Sequence, residues 1–133
     1  MSFQSFEDLQ VWQRSKALAI SVYRAMKESK DFGLKDQMQR AAVSIPSNLA
    51  EGCERTPRDF ARFISIAIGS SSELRTQAYI ARDLEIIDAK TADAIIDETK
   101  QLNRMMRALA KTQRSKVSET GENYEIDKPN PEH

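Results

Sequence analysis

The sequence predicts an all-α, up-down-up-down four-helix bundle, and three observations carry that expectation. Apolar residues recur at steps of three and four through four separate segments. Each segment closes on a break in that pattern, and the connections are short, so sequential helices should be antiparallel neighbours. The composition agrees: 40% apolar and 30% charged residues, with only four glycines and four prolines in 133 residues, leave few turns for a strand-rich chain. A chain of this length fits one domain and one core.

The first segment is read from about Asp8 to Glu28, with Leu9, Trp12, Ala19, Val22, Tyr23 and Met26 on its apolar stripe. Asp8 is placed to cap its start, and Phe6 to staple onto the first turn. Lys30-Asp31-Phe32-Gly33 breaks the pattern. The second segment runs from about Leu34 to Cys53 through Met38, Ala41, Ala42, Ile45 and Leu49, with Gly52 near its end. Pro46 lies in the middle of it and removes one backbone donor. A kinked helix is the preferred reading, because the stripe keeps phase across the proline; a helix that stops near Ser44 and restarts at Pro46 is the alternative.

Thr56-Pro57-Arg58-Asp59 has the chemistry of a helix start, with Thr as N-cap, Pro in the first turn and an acid behind it. The third segment extends to about Asp83, burying Phe60, Phe63, Ile64, Ala67, Leu74, Ala78 and Ala81 on one face. Ala61, Ile66, Ile68 and Tyr79 make it apolar on a second side as well. A helix of that kind is covered from two directions, by its own bundle and by something else. Gly69 and Ser70 to Ser72 are small enough to admit a neighbouring backbone. The fourth segment begins at Asp88 or Thr91 and carries Ala92, Ile95, Ile96, Thr99, Leu102, Met106 and Leu109 to about Lys111. The domain is therefore expected to span residues 1–112, with residues 113–133 forming an acidic, disordered tail.

Charge and composition exclude several functions. Through Lys111 there are 17 Lys and Arg against 15 Asp and Glu, a body charge of +2; residues 113–133 hold 3 against 5, giving −2. Nucleic-acid binders usually carry a larger basic excess. No apolar run approaches the roughly 20 residues that span a membrane, and the N-terminus lacks a signal-peptide pattern, so the expected location is cytoplasmic. Cys53 is the single cysteine and His133 the single histidine. Nucleophile–histidine pairs and multi-ligand zinc or di-iron sites have too few residues to form. No cofactor or metal is expected, and the chain is read as a non-enzyme.

Three clusters ask for a reason. Asn48 and Glu51 share a helical face just after Pro46, and Ser70, Glu73 and Gln77 form a polar run in the third helix. If these helices are antiparallel, the five residues are expected to meet as a buried hydrogen-bond network that fixes register and satisfies the carbonyl freed by Pro46. The sharper reading makes Glu51 and Glu73 paired carboxylates for acid–base work or metal binding. Arg40, Arg55, Arg58 and Arg62 are candidate nucleic-acid contacts near one end of the bundle, since arginine forks suit phosphate. The plainer reading pairs them with nearby acids. Phe63, Ile66, Ile68 and Trp12 are the candidate interface residues for contact with a second copy.

The order Phe6-x-x-Leu9-x-Val11-Trp12, then Phe32-Gly33-Leu34-x-x-Gln37-x-x-Arg40-Ala41-Ala42-x-Ser44-Ile45-Pro46-x-Asn48-Leu49-Ala50-Glu51-Gly52, continues into Asp59-Phe60-x-Arg62-Phe63 and Ile66-Ala67-x-Gly69-Ser70-x-x-Glu73-Leu74. These motifs resemble the small bacterial four-helix bundle proteins encoded within intervening sequences of 23S ribosomal RNA genes. The resemblance covers about residues 3–110. It implies a four-helix bundle assembling with itself into a homopentameric barrel, without an assigned reaction. A related branch, the accessory variability determinant of diversity-generating retroelements, is a basic pentamer that binds a reverse transcriptase and nucleic acid. That kinship implies RNA or DNA and a reverse transcriptase as further partners, although the neutral charge of this chain departs from that branch.

Overall fold

The computed structural model describes residues 5–120. It contains a short 3-10 turn at Phe6–Asp8 and four helices: α1 (Gln10–Ala25), α2 (Phe32–Cys53), α3 (Pro57–Asp83) and α4 (Ala89–Thr120). Each helix packs on its sequence neighbours, and α4 closes the ring onto α1. Pairings across the helices fix their directions. Ser44 meets Ser70 while Gly52 meets Phe63, so α2 and α3 are antiparallel. Ser71 reaches Thr99 while Arg82 reaches Asp93, so α3 and α4 are too.

Helix starts follow their side chains. The Asp31 carboxylate accepts from the Leu34 amide at 3.1 Å, the Thr56 hydroxyl from Asp59 at 3.3 Å, and the Asp88 carboxylate from Thr91 at 2.7 Å. Each satisfies one of the amides that a first turn leaves without a helical partner. Asp88 is thus the residue that starts the fourth helix. The start of α1 differs from expectation: Leu9, not Asp8, occupies the N-cap position, with no side-chain cap. The 3-10 turn folds Phe6 back edge-on to Trp12, with ring centroids 5.1 Å apart, so the staple forms without the cap. At the other end of the bundle, α3 turns into α4 through Glu85 at φ 58°, and the Ile86 amide donates to the Ala81 carbonyl. That left-handed residue closes the C-terminus of α3.

Pro46 lies inside an unbroken α2. Ile45 and Leu49 on either side of it are both fully buried, so core contacts hold the helix in phase where one backbone bond is lost. The core is a column of Met26, Met38, Ile45, Leu49, Ile64, Leu74, Leu102 and Met106. Each such side chain contributes roughly 1.5–3 kcal/mol by leaving water. The boundary expected at Lys111 is wrong. α4 continues to Thr120, with Ala110, Gln113 and Val117 buried on one stripe. Because α4 runs antiparallel to α3, its last turns lie along the start of α3 and have a surface to cover. Residues 121–133 of the expected tail fall outside the described residues.

Candidate functional site

The polar residues expected to meet at mid-bundle do so only in part. The Asn48 amide donates to the Ser44 carbonyl at 2.8 Å and to the Ser44 hydroxyl at 2.9 Å. That hydroxyl shares a 2.7 Å hydrogen bond with Ser70 on α3. The half-buried chain Asn48–Ser44–Ser70 therefore locks α2 to α3, with Ser44 as the link that the sequence reading missed. The carbonyl that Asn48 engages belongs to Ser44, whereas the helical partner removed by Pro46 is that of Ala42. Gln77 is buried two turns away, and its Oε1 has no hydrogen-bond partner.

Glu51 and Glu73 are not in this network, and they are not a pair. Glu51 is exposed and bridges Arg55 within α2 and its exit turn, at 3.2 Å. Glu73 is exposed on α3. From the register set by Ser44–Ser70 and Gly52–Phe63, the two carboxylates lie roughly ten residues apart along the bundle axis, or about 15 Å. Shared acid–base or metal chemistry needs a far closer approach. Among the described residues, no three His, Cys, Asp or Glu side chains group as metal ligands do.

Three of the four arginines expected as nucleic-acid contacts are held by acids. Arg40 bridges Asp36 at 2.8 Å and Arg55 bridges Glu51. Arg62 bridges Asp59, and Arg58 also has an interaction partner. Arg55 further covers the Phe63 ring, 5.1 Å from its centroid. Arg40 is separated from the Arg55–Arg62 turn by about 18 Å of helix α2, so the four do not form one patch.

A different cationic cluster lies between α3 and α4. Ser72, Arg75, Lys100, Asn103, Arg104 and Arg107 line a groove of about 240 Å3. Sequence reading passed over it because Lys100, Arg104 and Arg107 sit on the polar face of an amphipathic helix. Their spacing, with no acid between them at helical contact positions, was the available signal. On the opposite side of α4, Arg14 from α1 donates to Glu98 at 2.5 and 2.9 Å and to Gln101 at 2.8 Å. The Glu98 hydrogen bond raises the Arg14 pKa, and this bridge ties α1 to α4. Cys53 is half-buried at the end of α2; burial, with a smaller contribution from the Glu54 charge, pushes its thiol from 9.0 to about 11. It is not an activated nucleophile.

Of the four expected interface residues, Ile66 alone points out, with 52% of its surface exposed. Trp12 and Ile68 are half-buried against the chain's own core, and Phe63 is half-buried between Gly52 and Arg55. Two other apolar surfaces accompany Ile66. Ile80 (44% exposed) and Leu84 are exposed on the same side of α3, about 21 Å along the helix from Ile66, with exposed Glu73 between. Ile20, Tyr23 and Val43, with buried Pro46 beneath, line a shallow groove between α1 and α2 of about 480 Å3. Gly69, expected to admit a neighbouring backbone, has open space where a Cβ would stand. No helix among the described residues is long and apolar enough to cross a membrane.

Comparison with known proteins gives matches in keeping with this geometry. A family model described as 23S rRNA-intervening sequence protein matches residues 7–108. In structure, the chain is similar to a crystal structure of a protein with unknown function from the S23 ribosomal protein family of Bacteroides thetaiotaomicron VPI-5482. The TM-score is 0.72 at 21% sequence identity, covering 76% of this chain and 98% of that one. At that identity the likeness speaks to the fold alone. No curated protein matches the chain significantly in sequence.

Proposed function

The chain belongs to the 23S rRNA-intervening sequence protein family, and on that premise we propose that it acts as a non-enzymatic, homo-oligomeric scaffold. The observation that carries this reading is uncovered apolar surface: the Ile20–Tyr23–Val43 groove between α1 and α2, with Ile66, Ile80 and Leu84 exposed along α3. Contiguous apolar surface on a small water-exposed chain marks a contact with another molecule. The groove and the α3 side chains belong to different helices, so the groove of one copy can receive α3 of the next. Such head-to-tail contacts close into a ring when the rotation between copies returns to the first copy. Five copies is the number that the family resemblance implies.

What the polar groups do supports scaffolding rather than a reaction. Glu51, Asp59 and Glu98 each hold an arginine, Asn48 locks two helices together, and Cys53 is protonated near neutral pH. Light scattering on a sizing column tests the proposal. Five copies of the 15.1 kDa chain give about 75 kDa. A monomer at micromolar concentration overturns it.

A further inference from the structure

The basic groove between α3 and α4 gathers four cationic side chains, in contrast to the ion-paired arginines elsewhere on the bundle. Arg14, Arg40, Arg55, Arg62 and Arg82 each bridge a carboxylate. Arg75, Lys100, Arg104 and Arg107 converge on one groove that no acidic residue lines. Among the described residues, Lys100, Arg104 and Arg107 have no ionic partner, although they repel one another at helical contact spacing. A cluster of that kind is balanced by an anion from outside.

We infer that this groove is a binding site for the phosphodiester backbone of a single-stranded nucleic acid. Its floor is built in advance. Arg75 Nε donates to the Thr99 hydroxyl at 3.2 Å, and that hydroxyl donates to the Ile96 carbonyl at 2.7 Å. This leaves the two terminal nitrogens of the guanidinium for a ligand. Asn103 is 1% exposed; its Nδ2 donates to Ser72 Oγ at 3.3 Å while Oδ1 has no partner. A half-turn of the amide would let the Ser72 hydroxyl donate to Oδ1 instead, so Asn103 ties α4 to Ser72 beneath the groove. Lys100, Arg104 and Arg107 form the exposed rim, where arginine forks can grip phosphate oxygens in pairs.

The rim extends over about 10 Å of helix, longer than one phosphate needs and suited to successive phosphates of a strand. No aromatic or apolar side chain lines the groove. Bases are therefore not stacked or read there, and binding is independent of sequence. The inference goes beyond the scaffold proposed above, because each copy carries the whole groove within its own α3 and α4.

Fluorescence anisotropy of a labelled single-stranded RNA of mixed sequence with the full-length protein tests this. Wild type is expected to bind in low salt, and the Arg104→Gln/Arg107→Gln pair to weaken binding by about tenfold or more. Loss of two phosphate contacts should also flatten the log–log salt dependence by about 1.4. Arg104→Lys/Arg107→Lys, which keeps the charge, should retain most of the affinity. The ion-paired Arg40→Gln/Arg62→Gln variant should stay within about twofold of wild type. The inference is overturned by an absence of binding in low salt, or by an equal loss in the Arg40/Arg62 pair. It is also overturned if the Lys pair binds as weakly as the Gln pair, or if millimolar inorganic phosphate displaces the RNA, which would assign the groove to a free anion. Light scattering of the same samples separates this result from that of the assembly.

Discussion

Cys53 shows how much one residue's surroundings decide. The sequence alone marks it as a single thiol at the end of an apolar stripe. Its behaviour depends on burial and on Glu54, which together hold the thiol at about 11. The thiolate population near neutral pH is then about a hundredfold lower than for a thiol at 9.0, and the greater reactivity of a more basic thiolate returns roughly tenfold. Alkylation by iodoacetamide at pH 8 should therefore run about tenfold slower than for a free cysteine. Its rate should keep climbing with pH beyond 10; a plateau near pH 9 would contradict the shift. The polar network shows the same limit of legibility. Helical spacing correctly placed Asn48 and Ser70 towards the α2–α3 boundary. It also put Glu51 there, because residues three apart share a face. Spacing does not say how far along that face the neighbouring helix still covers a side chain. Glu51 lies near the end of α2, where its carboxylate reaches solvent and Arg55 instead.

At the scale of the elements, local chemistry was readable wherever one residue governs a backbone group. Thr56-Pro57 marks the start of α3, and the buried neighbours of Pro46 carry α2 through it. The extension of α4 past Lys111 was not readable, because among the described residues there only Gln113 and Val117 are buried, amid charged residues. Two glycines separate what the sequence treats alike. A Cβ on Gly52 would stand 2.5 Å from the Phe63 Cβ and 3.0 Å from a Phe60 ring carbon. The first of these is fixed to the α3 backbone, so the helices themselves would have to part. Gly52→Ala should cost about 1–3 kcal/mol through overpacking. A Cβ on Gly69 meets nothing within 4 Å, and Gly69→Ala should stabilise the chain by about 0.5–1 kcal/mol through helix propensity. Urea unfolding of both variants in dilute solution reads the two signs; a neutral Gly52→Ala would mean that α2 and α3 do not approach this closely.

At the scale of the whole molecule, some apolar side chains are left out of the bundle's own core. Periodicity gave the fold class because burial inside one chain repeats with the helix. The second apolar side of α3 was visible in the same way, and Ile66, Ile80 and Leu84 remain outside the core. Replacing Ile66 and Ile80 with serine removes apolar surface that is already half in water, so the isolated chain should lose little. In an assembly that covers them, each isoleucine contributes on the order of 1 kcal/mol to every contact. Assembly also links stability to mass action, since a partner that binds only the folded chain raises the unfolding free energy with concentration. The wild-type melting temperature should therefore rise as the protein is concentrated. For Ile66→Ser/Ile80→Ser it should stay constant, with the particle shrinking towards 15.1 kDa. Gly69 sharpens the distinction, because it sits beside Ile66 on α3. If a second copy packs there, Gly69→Ala stabilises the dilute chain yet weakens the assembly, and the two measurements move in opposite directions. A wild-type melting temperature that ignores concentration, with Gly69→Ala stabilising at every concentration, would leave these α3 side chains as plain exposed surface and remove the basis for a ring.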